Sequence, residues 1–234
     1  MTENSFIEEL KLIGINIDTE QLKKLNKYYE LLIEWNKKIN LTAITEKNQV
    51  YLKHFYDSLT LNKIIDLKKE NSICDIGTGA GFPGIVLKIV FPNLKVTLVD
   101  SLKKRIDFLN LIIKELELEN IIAIHTRSEE FALTNREKFD FVTARAVAPL
   151  NILLEYSIPM VKKNKYFIAM KGNIEKEEKT FDNSMKILNT IIEKKEEFTL
   201  PNELSKRTLI KFKKLEITSK KYPRKFNEIK KKPL

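Results

Sequence analysis

The amino-acid sequence predicts an α/β fold in which a doubly wound, mostly parallel sheet follows an N-terminal helical segment. Three observations lead there. Beyond Asn71, short apolar runs alternate with amphipathic stretches, as βαβ units do. Four of the six glycines, Gly77, Gly79, Gly81 and Gly84, fall within eight residues between the first apolar run and the first amphipathic stretch. The first seventy residues show helical spacing instead.

In the N-terminal segment, Asp18 and Gln21 form a capping-box pair, and Leu22, Leu25, Tyr28, Leu32 and Trp35 follow at helical intervals. A second helix is expected over 48–65, where neither Gly nor Pro interrupts. Strands are expected at 72–76, 96–100, 121–125, 139–144 and 166–170, with helices near 85–91, 103–118, 150–161 and 174–193. Right-handed crossovers wind such strands into one parallel sheet covered on both faces. Runs near 197–200 and 208–212 are close enough for an antiparallel hairpin at one edge. Residues 218–234 are polar and basic with two prolines, and read as a tail or mobile loop.

Charge divides the chain differently. Its 234 residues carry 42 Lys+Arg and 32 Asp+Glu, a net charge of +10. From Ser205 to Leu234 twelve basic residues face two acids, so those thirty residues hold the whole excess and the body is neutral. Such a tail suits a polyanionic partner. With 36 lysines to six arginines, lysine abundance alone says little; its concentration in the tail says more. No apolar run approaches a membrane span, and the start, MTENSFIEEL, lacks the features of a secretory signal. One cysteine, Cys74, excludes an internal disulfide and a cysteine zinc cluster. With only His54 and His125 besides, no metal site is expected. A cytoplasmic monomer is the expectation.

The glycine loop admits two frames. From Gly79, the segment Gly79-Ala80-Gly81-Phe82-Pro83-Gly84 fits G-x-G-x-x-G, the dinucleotide fingerprint. From Asp75 it reads D-x-G-x-G-x-G, which resembles motif I of S-adenosylmethionine-dependent methyltransferases. An acid before the loop suits the amino group of a methionine moiety and would sit poorly beside a pyrophosphate. Pro83 removes an N–H where a dinucleotide site wants donors. Asp100, 23 residues past Gly77 at the end of the second strand, suits ribose hydroxyls in either frame.

The segment 75–85, followed by Leu98-Val99-Asp100-Ser101-Leu102-Lys103-Lys104-Arg105, strongly resembles the bacterial 16S rRNA guanine-N7 methyltransferases. The similarity continues through Trp35-Asn36, Asn40-Leu41-Thr42, His54 with Asp57-Ser58-Leu59, Arg127-Ser128-Glu129-Glu130, Ala144-Arg145-Ala146, Lys171-Gly172, Tyr222-Pro223-Arg224-Lys225 and Lys231-Lys232-Pro233-Leu234. The resemblance implies a seven-stranded Rossmann-like class I methyltransferase sheet. Its parts would be a helical segment at 1–68, the S-adenosylmethionine-binding domain at 69–217 and a basic tail at 218–234. Asp75, Gly77, Gly79, Gly81, Phe82, Asp100, Ser128 and Glu129 would form the cofactor site, with Arg145 at the mouth of the active site. The implied partner is 16S rRNA or the 30S subunit. Lys220, Lys221, Arg224, Lys225, Lys230, Lys231 and Lys232, interleaved with Tyr222 and Phe226, would contact it. The chain departs from the family at Phe226–Ile229, where a Gly and a Pro are usual.

Guanine N7 already offers a lone pair, so its methylation needs no general base and rests on positioning. A cytosine-C5 enzyme would need a nucleophilic thiol, but Cys74 lies mid-strand, where packing is its expected role. The Pro-Pro motif of exocyclic-amine enzymes is absent, while a ribose-hydroxyl enzyme stays open. Arg145 closes the fourth strand at the edge where ligands bind. Glu129 suits either the adenine edge or a helix cap. His54, Asp57 and Asn40 are assigned no chemistry. Two other classes remain: a non-catalytic RNA-binding module of the same fold, and an NAD-dependent oxidoreductase.

Overall fold

The computed structural model describes residues 1–68, 72–175, 177–178 and 180–234. The sheet has seven strands: β1 (Ser72–Ile76), β2 (Lys95–Asp100), β3 (Ile121–His125), β4 (Phe139–Arg145), β5 (Val161–Lys171), β6 (Thr190–Thr199) and β7 (Lys206–Lys214). Their order is β3-β2-β1-β4-β5-β7-β6. The first five pair in parallel and β7 runs antiparallel to both neighbours, so the doubly wound class and the edge hairpin are as expected.

Alternate residues of each central strand feed opposite cores. Ile73, Leu98, Phe141 and Ile168 face one buried cluster; Cys74, Val99, Val142 and Phe167 face the other. Cys74 is a buried free thiol whose burial raises its pKa, in keeping with a packing role.

The first face is covered by α1 (Glu3–Leu12), α2 (Thr19–Asn36), α5 (Gly84–Val90) and α6 (Lys103–Glu115), whose Phe6, Leu25, Tyr28, Ile85 and Phe108 share one core. The Asp18–Gln21 capping box opens α2 with both reciprocal bonds in place. The helical stretch expected at 48–65 is a series of short turns: α3 (Lys47–Val50), a π-helical turn (Tyr51–Tyr56), α4 (Asp57–Leu59) and a 3₁₀ turn (Thr60–Lys63). The π turn buries His54, Phe55 and Tyr56 together. On the second face lie α7 (Ser128–Thr134), α8 (Leu150–Ser157), α9 (Asp182–Ile187) and α10 (Phe226–Lys231).

Two expectations are corrected. The expected helix at 174–193 is not formed as one element: among its described residues only Asp182–Ile187 is helical, and Thr190 begins strand β6. At the end of the segment, Glu193 pairs across the edge hairpin with Lys211 at 2.8 Å and Lys213 at 3.6 Å. Lys176 and Lys179 of that segment, and residues 69–71 at the expected boundary between 68 and 69, lie outside the described residues.

Nor is 218–234 a free tail. Tyr222 and Leu234 pack against the second core and Ile229 is fully buried in it. Arg136 donates to the carbonyls of Thr218, Ser219 and Tyr222. A few apolar anchors and one guanidinium hold a segment whose composition is otherwise that of a solvated end.

Candidate active site

β1 ends at Ile76, and the chain turns through Gly77 (φ +62°), Gly79 (φ +62°) and Gly81 (φ +103°) into α5. Glycine takes these dihedrals without steric cost. A Cβ on Gly77 would lie 2.6 Å from Val147, whereas one on Gly79 would meet nothing within 4 Å. Gly79 thus leaves open the space a ligand needs to reach the backbone.

Asp75 sits beneath this loop. It is fully buried, and its Oδ2 accepts from Thr78 Oγ1 at 2.7 Å and from the Gly84 N–H at 2.8 Å. Oδ1 has no partner, and burial pushes the carboxyl up to about 7. The expectation that Asp75 meets a ligand's amino group is therefore corrected: it braces the turn from inside and lines neither adjoining cavity.

This brace has a pH signature. An unfolded aspartate titrates near ~3.9, so between about pH 4 and 7 the folded chain holds a proton that the unfolded chain has released. The stability it contributes is complete below about pH 4 and is lost as pH rises through about 7. Asp75→Asn removes this term. Urea unfolding of both proteins across that interval is expected to show the wild type losing ground to the variant as pH rises. A difference independent of pH would refute the assignment.

Two cavities, of about 550 and 420 Å³, open beside the loop and share Gly77, Arg105 and Ala146. Gly79, Phe82 and Arg145 line the first; Asp100, Ser128 and Glu129 line the second. The turn therefore brings together six of the expected site residues around Gly77. Gly81 lines neither cavity and is a packing position, where a Cβ would meet Ile85 and the Tyr28 hydroxyl.

Asp100 is 2% exposed. Its Oδ2 accepts from the Gly79 N–H at 2.9 Å and Arg105 Nη1 at 3.2 Å, and Oδ1 accepts from the Leu102 N–H at 2.9 Å. A carboxylate so oriented at a strand end suits vicinal hydroxyls. Arg105 reaches it from the wall between the cavities, with its Nε buried and unpartnered. Glu129, also buried, accepts from Arg127 Nε at 2.6 Å.

Arg145 is clamped. Nη1 donates to the Lys53 carbonyl at 3.0 Å and Asp57 Oδ2 at 3.2 Å, Nη2 lies 3.3 Å from His54 Nδ1, and the guanidinium carbon stands 5.2 Å from the Phe82 ring centre. Arg207 holds the other oxygen of Asp57 at 3.0 Å. The His54 ring stacks on Phe82 at 4.5 Å and bonds Thr42 through Nε2 at 2.8 Å. Burial, with Arg145 beside it, lowers the His54 pKa to about 3. The ring is neutral at physiological pH. Tyr28, from α2, donates to the Ala80 carbonyl and so ties the N-terminal segment to the loop.

Of the basic set, Lys220, Lys221, Lys225, Lys230, Lys231 and Lys232 are exposed. Arg224 is not available to an outside partner. Its backbone N–H and Nε donate to Glu155 Oε1 at 2.8 and 2.9 Å, and its Nη2 to Oε2 at 2.6 Å, against a carboxylate with no exposure. It neutralises a buried acid, and its expected contact with an external polyanion is corrected accordingly. Sequence reasoning also missed Arg105, Arg127, Lys171 and Arg207 as cavity residues. The scarcity of arginine was a usable signal, since four of the six line these cavities.

Residues 21–209 match the model of the rRNA small subunit methyltransferase G family. The chain is 50% identical to the ribosomal RNA small subunit methyltransferase G of Macrococcus caseolyticus, over 100% of this chain and 99% of that protein. It is 49% identical to that of Oceanobacillus iheyensis over the whole of both. Among solved structures, a SAM-dependent methyltransferase from Aquifex aeolicus superposes with a TM-score of 0.55 at 16% identity, over 78% of this chain and 98% of that one. M. jannaschii TYW2 in complex with AdoMet gives 0.52 at 15% identity, over 63% and 71%. At such identities these structures speak for the fold alone.

Proposed function

The chain belongs to the rRNA small subunit methyltransferase G family, and from that premise we propose that it methylates N7 of a guanine in 16S rRNA with S-adenosylmethionine as methyl donor. The residues fit that cofactor. Asp100 is placed for the ribose diol, Ser128 and Glu129 for the adenine edge, and the open backbone at Gly79 for close approach at the junction of the cavities. When bound, the cofactor would supply an electrophilic methyl on a positively charged sulfur, and the residues of this chain would have only to align N7 with it, with no proton to remove.

One observation supports a ring-nitrogen lone pair as acceptor, and the family points to guanine N7 among these: of the described lining residues, no general base is free in the 550 Å³ cavity. His54 holds no useful basicity with its pKa near 3. Asp57 is shared by Arg145 and Arg207. Glu177 is held by Lys171 at 2.9 Å and by the Leu150 N–H at 2.9 Å. A hydroxyl or exocyclic amine would need one of these as base, whereas a lone pair needs only positioning. Lys53, Arg105, Arg145, Lys171 and Arg207 give the same cavity a cationic lining that suits a nucleotide phosphate. Arg145, rigid and facing Phe82, would position the guanine.

The exposed lysines from Lys220 to Lys232 extend that charge as an RNA contact. Among the described residues no helix is long and apolar enough to cross a membrane. A cytoplasmic site of action follows from the ribosomal substrate. The test is transfer of tritiated methyl from S-adenosylmethionine to 30S particles and to protein-free 16S rRNA, with mapping of the product. We expect 7-methylguanine at one position, and a strong loss in Arg145→Ala. Label on an exocyclic amine or a ribose would overturn the N7 assignment, and absence of label would overturn the reading as a whole.

A further inference from the structure

The C-terminal segment supplies a wall of the second cavity. Phe226 and Lys230 line it together with Asp100, Ser128 and Glu129. They arrive there along a path held at several points. Arg136 grips the carbonyls of Thr218, Ser219 and Tyr222, Glu155 binds Arg224 through three donors, and Ile229 fills the core behind. Ser184 Oγ donates to the Leu234 carbonyl at 2.9 Å beyond. α10 is thereby fixed over a site whose other residues lie about a hundred positions earlier in the chain.

At the wall, the Arg127 guanidinium carbon lies 3.8 Å from the centre of the Phe226 ring. That distance is stacking contact. The same guanidinium donates through Nε to Glu129 Oε1 at 2.6 Å. A guanidinium on a flexible stem has many rotamers, and a ring against its face leaves it few. Phe226 therefore holds Arg127, and Arg127 holds the Glu129 carboxylate at the cavity surface.

We propose that Phe226 and Arg127 are positioning residues for the adenosine half of the cofactor: the stacked pair closes the outer side of the second cavity and sets Glu129 for the base edge. This rests on the proposed function, which places adenosine there. The segment that charge marks as an RNA contact is then also part of the cofactor site.

Isothermal titration of the full-length protein with S-adenosylhomocysteine, without RNA, tests it. Phe226→Ala and Arg127→Ala are each expected to weaken binding by about tenfold. The double variant is expected to lose no more than the weaker-binding single, because the two act as one unit. Phe226→Tyr keeps a stacking face and is expected to bind as wild type, whereas Phe226→Leu keeps apolar bulk and is expected to bind as weakly as Phe226→Ala. Thermal unfolding of each apo variant separates misfolding from lost affinity, and the Tyr–Leu contrast keeps the test decisive if the alanine variant does not fold. Wild-type affinity in Phe226→Leu and Arg127→Ala would overturn this inference and leave the proposed function standing. No binding by the wild type would overturn the proposed function itself.

Discussion

Arg224→Ala is expected to destabilise the protein by about 3–5 kcal/mol, because it strands the Glu155 carboxylate, which has no exposure, without its charge partner. The loss is that of breaking a buried pair, which is much larger than the worth of a surface salt bridge. The backbone N–H of residue 224 would remain as a donor, too little for a full charge. The companion measurement is the double variant Glu155→Leu with Arg224→Met. It removes both charges and both desolvation costs, and is expected to recover most of the stability. Urea unfolding of the three proteins checks both statements. Because α10 follows directly, a released Arg224 should also loosen the cavity wall and weaken S-adenosylhomocysteine binding. An Arg224→Ala protein as stable as wild type would mean that Glu155 finds water or another donor.

Gly81→Ala is the second large effect. With φ at +103°, an L side chain is strained whatever the space, and here there is none: a Cβ would stand 2.5 Å from Ile85 Cγ1 and 2.8 Å from Tyr28 Oη. Backbone strain of about 1–3 kcal/mol and overpacking of about 1–3 kcal/mol add to a loss of roughly 2–6 kcal/mol. The Tyr28 bond to the Ala80 carbonyl, which couples α2 to the loop, would go with it. Gly79→Ala is the contrast. Its Cβ meets nothing, so only the backbone cost of about 1–2 kcal/mol remains, while the methyl enters the space reserved for ligand. Thermal unfolding and titration with S-adenosylhomocysteine should rank the two in opposite order: Gly81→Ala worse in stability, Gly79→Ala worse in affinity relative to its stability. The same ranking in both assays would show that the loop responds as one unit.

Much of the fold was legible from the chain. Strands β1, β2 and β4 are largely buried on both sides and β3 is an apolar edge strand, so each appears as a short apolar run, and the expected ends fall within a residue of those observed. The Asp18–Gln21 cap and the glycine turn are local structures, and their causes lie within a few residues of each other. The edge hairpin was harder. β6 is mostly exposed, its apolar signal is weak, and its charged residues pair with β7 at a distance no local window registers. At the site, Gly79, Asp100 and Arg145 were legible because strand ends and glycine turns converge at one edge of such a sheet. The duties of Asp75 and Arg224 were not. Both depend on burial, which is set by neighbours far along the chain, with 69 residues separating Arg224 from Glu155.

The glycine turn, the first five strands, the aspartate at the end of β2 and the gathering of all net charge after Ser205 are written in the chain itself, since each is a property of composition or of spacing within one element. Tertiary structure alone decided which of those charges stay free. An arginine in a basic run is an RNA contact or a structural counterion according to whether a desolvated carboxylate waits for it across the fold. For Arg224 one does, and its capture by Glu155 turns an apparent tail into a wall of the second cavity.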